Sequence, residues 1–494
     1  MEYALGIDVG SSSVKVSLLD LKTGRAAASA SAPETEAPIA APQKGWAEQA
    51  PDAWWDYLGQ AIGRIGASCD LSSVRAIGIS YQMHGLVAVD RAVRPLRDAI
   101  IWCDSRAVGI GAEAFAGIGE QRCLTHLLNA PGNFTASKLG WVRRHEPQIF
   151  DRIYKMMLPG DYIAYRLTGE VSTTASALSE GVLWDFKASR PAGFVADWFG
   201  FPESMLPDVA PALGVSGRTT SEIEKAWRIP AGTPVSYRAG DQPNNAFSLR
   251  VLRPGEIAAT AGTSAVVYAV TDQLVTDPQQ RVNNFLHVTP HEVPCLGVLL
   301  CINGSGIMNA WLRREICKDL SYDEMNDMAG TVPPGSDGVL VLPFGNGAER
   351  VLSLRASDAR FIGIDLVRHK RAHLVRAVQE GIAFAMAYGI DVMRQMGLQM
   401  RVMRAGRANM FLSELFRKTL ATVCDVDIEL FDTDGSLGAA RGAALGAGLY
   451  ASEDEAFRSL ECLSVTRPEA SWRQPVQAAY RAWCEALEKS FIKQ

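Results

Sequence analysis

Leu5-Gly6-Ile7-Asp8-Val9-Gly10-Ser11-Ser12-Ser13-Val14-Lys15-Val16-Ser17-Leu18-Leu19-Asp20 decides how this chain is read. An apolar strand meets a tight glycine turn rich in hydroxyls, and a second strand with β-branched residues follows. Apolar runs of this length on either side of a Gly/Ser turn predict a β-hairpin rather than a strand-to-helix unit. Gly10 lets the backbone approach a bulky anion. The amides and hydroxyls of Ser11, Ser12 and Ser13 can then point at phosphate oxygens. Asp8, at the end of the first strand, is placed to hold a hydrated magnesium ion or an attacking group. The turn lacks the later glycines of a dinucleotide fingerprint and the Gly-Lys-Ser/Thr ending of a Walker loop. An ordinary N-terminal hairpin is the plain alternative, and the rest of the chain decides between the two.

The 494 residues are 48% hydrophobic and 21% charged. That is enough apolar material for more than one core, since single cores stop growing at about 250–300 residues. The net charge is -5 with basic residues scattered along the chain, which speaks against a nucleic-acid partner. No run approaches the ~20 apolar residues that cross a bilayer. The opening residues form no signal-type segment, so a cytoplasmic protein without a membrane partner is expected. Nine scattered cysteines with no CxxC pair fit reduced thiols better than a metal site or a disulfide frame.

Outward from the hairpin, residues 26–43 read as a surface excursion. A helix is expected from Pro51 to about Gly66, because proline and acids suit a first turn. Residues 74–80 form a buried strand that ends in the polar turn Gln82-Met83-His84-Gly85. Ligands of open α/β sheets sit at such strand ends, although a lone histidine is more often structural. Another strand near residues 99–103 runs into Trp102-Cys103-Asp104-Ser105-Arg106. Helical patterning covers residues 135–169, whereas 173–184 read as loop and strand.

The strand 235–239 ends at Gly240-Asp241-Gln242 and opens toward a helix. That position suits a catalytic base, and it equally suits a plain N-cap. Residues 255–268 then repeat the opening theme, a strand, the turn Gly262-Thr263-Ser264 and a second β-branched strand. Two such hairpins, one in each half, predict two related lobes facing a shared polyphosphate, with the boundary near residues 250–255. Lobes of 1–250 and 251–494 follow. Further on come Gly306 before a helix, a long helix over 370–396, and a strand entering Ala405-Gly406-Arg407-Ala408-Asn409. Small residues in 435–450 allow a helix to pack very close to its neighbours.

Together these residues resemble the FGGY carbohydrate kinases of the actin/Hsp70/sugar-kinase superfamily, along almost the whole chain and in order. Gln82-Met83-His84-Gly85 and Gly45-Trp46-Ala47-Glu48-Gln49 look most like the xylulokinase branch, and Trp102-Cys103-Asp104 is similar to a Trp-Asn-Asp motif. The resemblance implies an α/β fold of two RNase H-like lobes with ATP, Mg2+ and a sugar in the interlobe cleft. Asp8 and Gly10 to Ser13 match the first phosphate motif, and Gly262, Thr263 and Ser264 the second. Gly306 matches a glycine beside the nucleotide, and Gly406 and Asn409 fall in the adenosine motif. Asp241 matches the catalytic base, and Gln82, Met83, His84 and Gln242 the sugar site. Many xylulokinases carry asparagine where this chain has Gln242, and the extra methylene bears on which ketose is preferred.

The implied reaction moves the γ-phosphoryl group of Mg-ATP to a free sugar, D-xylulose foremost. Asp8 would act as the magnesium ligand and Asp241 as the general base. Ribulose, gluconate, fuculose or another polyol are the alternative acceptors. A non-kinase ATPase module like actin is the alternative of another class. A homodimer is left open.

Overall fold

The computed structural model describes residues 1–289, 293 and 295–492. The opening hairpin is present: Tyr3–Val9 and Val14–Asp20 pair antiparallel around residues 10–13. Tyr3–Val9 lies parallel to Val74–Tyr81 on its other side, and Val74–Tyr81 lies parallel to Pro234–Gly240. Ala26–Ala32 and Leu213–Arg218 form the edges of this six-stranded sheet. Leu5, Ile7, Val9, Val14 and Val16 are fully buried in its core.

The second hairpin, Glu256–Ala261 and Ala265–Thr271, heads a seven-stranded sheet. Outward from Ala26–Ala32, the joints of the first sheet are antiparallel, antiparallel, parallel, parallel and antiparallel. Outward from Leu296–Ile302, those of the second sheet follow the same order. Asn283–Leu286 is added beyond Leu296–Ile302. The likeness of two glycine turns is therefore the visible part of a repeated sheet.

One helix ties the two sheets together. Gly435–Gly446 follows the strand Asp427–Phe431 of the second sheet but lies on the first, against Tyr3–Val9 and Val74–Tyr81. The approach is backbone to backbone. A Cβ at Gly6 would stand 1.8 Å from the Ser436 carbonyl oxygen, and one at Gly78 2.0 Å from that of Ala439. Ala439, Ala440, Ala443 and Ala444 complete the seam with Tyr237 and Phe247. Ser17 and Ser436 share a hydroxyl–hydroxyl bond of 2.7 Å across it.

Several local expectations are corrected. Residues 26–43 are not simply a surface excursion, since Ala26–Ala32 is an edge strand of the main sheet. Alanine and serine are weak strand formers, and pairing along Val14–Asp20 overrides that preference. Residues 173–184 contain the helix Ala175–Glu180, capped by Thr174 Oγ1, which accepts from the Ala177 N–H at 3.0 Å. Six residues are too few to display a helical period. The helical span 135–169 is interrupted by the strand Lys155–Met157.

Candidate active site

Asp8 and Asp241 come together because three parallel strands end level with one another. The pairing sets Asp8 opposite Ser80, and Ser80 opposite Ala239, two residues before Asp241. Neighbouring strands lie about 4.8 Å apart, so the strand carrying Asp8 and the strand leading to Asp241 are about 10 Å apart. Asp8 accepts a hydrogen bond from Ser80 Oγ at 2.8 Å. Its other oxygen faces Gly435, where a Cβ would come within 2.3 Å. Asn244 donates to the Gly435 carbonyl at 2.8 Å, and Lys15 pairs with Asp434 at 2.7 Å. The start of the bridging helix is thereby fastened beside the carboxylate. Lys15 is engaged there with Asp434.

Burial pushes the Asp241 carboxyl up to about 7, with the charge of Asp8 adding to the shift and the Gln242 backbone N–H and amide acting against it. Burial is also the main cause of the rise at Asp8, partly offset by Ser80. An acid that titrates near neutrality suits proton transfer at physiological pH. A base must be ionised to accept a proton, so activity rises as pH climbs through the pKa of the free enzyme. The pH profile of kcat/KM for sugar should therefore show an acid limb with its midpoint near 7. A profile flat between pH 5 and 8, or an acid limb near the ordinary carboxylate value of about 4, would separate Asp241 from the rate.

The turn after Val74–Tyr81 divides its labour. Gln82 faces inward: its N–H donates to the Val9 carbonyl at 2.8 Å and its amide to Gln49 Oε1 at 3.2 Å. Gln49 in turn donates to the Ser11 carbonyl at 2.7 Å, so the turn at 82–85 and the turn at 10–13 share one scaffold. Met83 is buried against Gly240, the residue before Asp241. His84 takes the left-handed backbone, with φ 61°, between Phe134 and Phe285 at ring distances of 4.7 and 5.2 Å. Phe285 belongs to the second sheet. Burial, with the Lys138 charge adding, lowers the His84 imidazole to about 3, so the ring is neutral. Gln242 sits half-buried beside Asp241.

In the second half, Gly262, Thr263, Gly306 and Asn409 line one cavity of about 380 Å³ together with Asn309 and Tyr322. Gly306 begins the helix Gly306–Glu315, and a Cβ there would lie 2.2 Å from the Gly262 carbonyl oxygen. Only glycine lets that helix start press on the turn, where the Ile307 N–H donates to the Thr263 carbonyl at 3.1 Å. Asn309 Oδ1 is buried with no partner among the described residues, an acceptor available to a bound molecule. Ser264 is half-buried in the same turn. Gly406 ends the strand Val402–Gly406 and stands off the lining, its carbonyl accepting from the Ala408 N–H at 2.8 Å.

Other groups at the site leave little trace in the sequence. Lys138, fully buried, donates to the His84 carbonyl at 2.7 Å and to the Ile101 carbonyl at 3.0 Å. Burial lowers its ammonium to about 7. Glu180 carries two bonds to His84, one through its carboxyl and one through its carbonyl. Gly45 to Gln49 is explained by a buried ion cluster. Arg106 pairs with Glu48 at 2.6 Å and with Asp104 at 2.7 Å, its guanidinium 3.8 Å from the centre of the Trp46 ring. That cluster fixes the segment holding Trp102, whose indole donates to Ser11 Oγ at 3.4 Å. A buried lysine or acid inside an otherwise apolar run was the only available signal.

Paired glycine turns, one from each of two matching sheets, with carboxylates at the strand ends of the first, define a two-lobed phosphotransferase. Two family models agree: the N-terminal domain of the FGGY family of carbohydrate kinases matches residues 3–248 and its C-terminal domain residues 257–451. The chain belongs to the FGGY family of carbohydrate kinases and is a sugar kinase. It is similar to a xylulose kinase of Escherichia coli strain K12, 30% identical over 92% of each chain. Among solved structures it resembles a "xyloylose kinase" from Brucella ovis, with a TM-score of 0.90, 25% identity and full coverage of both chains. A gluconate kinase from Lactobacillus acidophilus shares the fold, with a TM-score of 0.89 at 23% identity over 99% of this chain and 98% of the other. No helix among the described residues is long and apolar enough to cross a membrane.

Proposed function

We propose that this chain phosphorylates D-xylulose at the C5 hydroxyl, with Mg-ATP as donor. The observation that carries this reading is Asp241, a half-buried acid that follows Pro234–Gly240, beside Asp8 and the Met83–His84 turn. Residues 1–250 would serve as the sugar lobe with the first phosphate turn, and 251–494 as the nucleotide lobe. The turns at 10–13 and 262–264 would hold the phosphates from opposite sides, with adenosine in the cavity at Gly306 and Asn409. Asp241 would accept the hydroxyl proton as the oxygen attacks phosphorus. Gln82 would support the sugar site, and Met83, His84 and Gln242 would border it.

Magnesium fits the residues present. Asp8 has one strong bond, from Ser80, and its charge and that of Asp241 repel each other, so a cation between them is favoured. Asp8 would hold the ion largely through water, since Mg2+ keeps much of its hydration shell. When bound, the ion supplies positive charge to the phosphate oxygens.

The test is ADP release across D-xylulose, D-ribulose, L-fuculose, D-gluconate and glycerol. The expected result is the highest kcat/KM on D-xylulose, and a preference for gluconate or glycerol would overturn the assignment. His84→Ala should raise the KM for D-xylulose by about ten-fold, as one lost hydrogen bond to a buried polar group allows. Its KM for ATP should stay unchanged. An effect on the ATP constant alone would move the turn away from the sugar.

A further inference from the structure

Glu180 is a buried acid for which the transfer of phosphate has no use. It ends the helix Ala175–Glu180, is 1% exposed, and makes no salt bridge among the described residues. One carboxyl oxygen bonds to the Tyr81 hydroxyl, and the other accepts the His84 N–H at 3.2 Å. The Glu180 carbonyl lies 2.9 Å from His84 Nδ1. A carbonyl can only accept, so the ring carries its proton on Nδ1 and leaves the Nε2 lone pair free. The left-handed backbone at His84 is one that residues with a Cβ rarely take, and it is held by these bonds and by Lys138. The carboxyl also fills the space under Gly240, where a Cβ would meet its two oxygens at 3.2 and 3.3 Å.

We propose that Glu180 is the positioning residue of the acceptor site: it grips His84 through both its carboxyl and its carbonyl, so that Nε2 faces a sugar hydroxyl as a hydrogen-bond acceptor. This rests on the reading of His84 as bordering the sugar. The groups around Glu180 are Tyr81, His84, Tyr268, Asp161 and Asp241, none of them cationic. Burial is the main reason its carboxyl lies well above the usual range, with Asp241 and Asp161 adding to the rise. A glutamine can replace Glu180, offering a carbonyl to the His84 N–H and an N–H to the phenol oxygen. A methionine fills the same volume with no such groups.

Glu180→Gln and Glu180→Met, each made in the full chain, test the proposal by two readouts. Kinetics with D-xylulose and ATP give the first, and 15N spectra of histidine-labelled protein without sugar give the second, with His84 assigned from His84→Ala. Glu180→Gln should keep the KM for D-xylulose near wild type and the Nδ1–H pattern of His84 intact. Glu180→Met should raise that KM about ten-fold, leave the KM for ATP unchanged, and shift the His84 backbone 15N–1H signal, whose hydrogen bond to the carboxyl is lost, while Nδ1 keeps its backbone acceptor. Unchanged His84 signals in Glu180→Met overturn the proposal whatever the sugar does, and so does a Glu180→Gln variant as impaired as Glu180→Met. Shifted signals with an unchanged sugar KM would mean that His84 does not touch the sugar, and the proposal would fall together with the reading beneath it.

Discussion

An Asp241→Asn enzyme should turn over about 10²–10⁴-fold more slowly than wild type, the range that a positioned general base contributes. Asparagine keeps the size and the N-terminal place of Asp241 in the helix Asp241–Ser248, so the effect reads the missing basicity rather than lost packing. The cavity at Gly262, Gly306 and Asn409 takes no lining residue from this helix. Nucleotide affinity should accordingly stay within about two-fold of wild type, as judged by KM for ATP. Loss of the carboxylate also removes the acid limb near pH 7. Near-normal turnover in this variant would assign the proton to another acceptor.

Gly78→Val should destabilise the fold by more than about 4 kcal/mol, well beyond the common run of single substitutions. The added carbons would collide with the Ala439 carbonyl, which already stands 2.0 Å from the Cβ position, and the atom there is backbone. The bridging helix Gly435–Gly446 could not seat, and with it would go Gly435 and Asp434 beside Asp8 and Lys15. Thermal and urea unfolding report the loss. Gly63→Ala is the matched control: it lies in the helix Pro51–Gly66 with nothing within 4 Å of the Cβ position. Alanine is the better helix former there, so about 0.5–1 kcal/mol of gain is expected. Equal behaviour of the two variants would mean that the bridging helix does not depend on close approach.

Residues 5–20, 235–245 and 255–268 could be read from the sequence because their information is local: apolar strands, glycine turns and a polar residue at each strand end. The closeness of Gly435–Gly446 to its neighbours was equally legible, since its glycines and alanines exclude bulk. Which sheet that helix would lie on was not, because small residues specify distance and not partner. Ala26–Ala32 and Leu213–Arg218 escaped for a related reason. Edge strands take their conformation from the strand beside them, and their own residues are weakly biased. Glu180 and Lys138 act on His84 from positions 96 and 54 residues away in sequence. Their role arises only when the fold buries them against the same turn. Gly262, Gly306 and Asn409 are brought to one cavity, whereas Gly406 is held off it by the end of its strand.

The most direct measurement is a crystal structure of the wild-type chain with D-xylulose and a non-hydrolysable ATP analogue bound. The account predicts the triphosphate between residues 10–13 and 262–264, with the C5 hydroxyl within hydrogen-bond reach of the Asp241 carboxylate, about 2.6–3.2 Å. A sugar bound away from Asp241 and His84, or phosphates touching only one of the two turns, would contradict it.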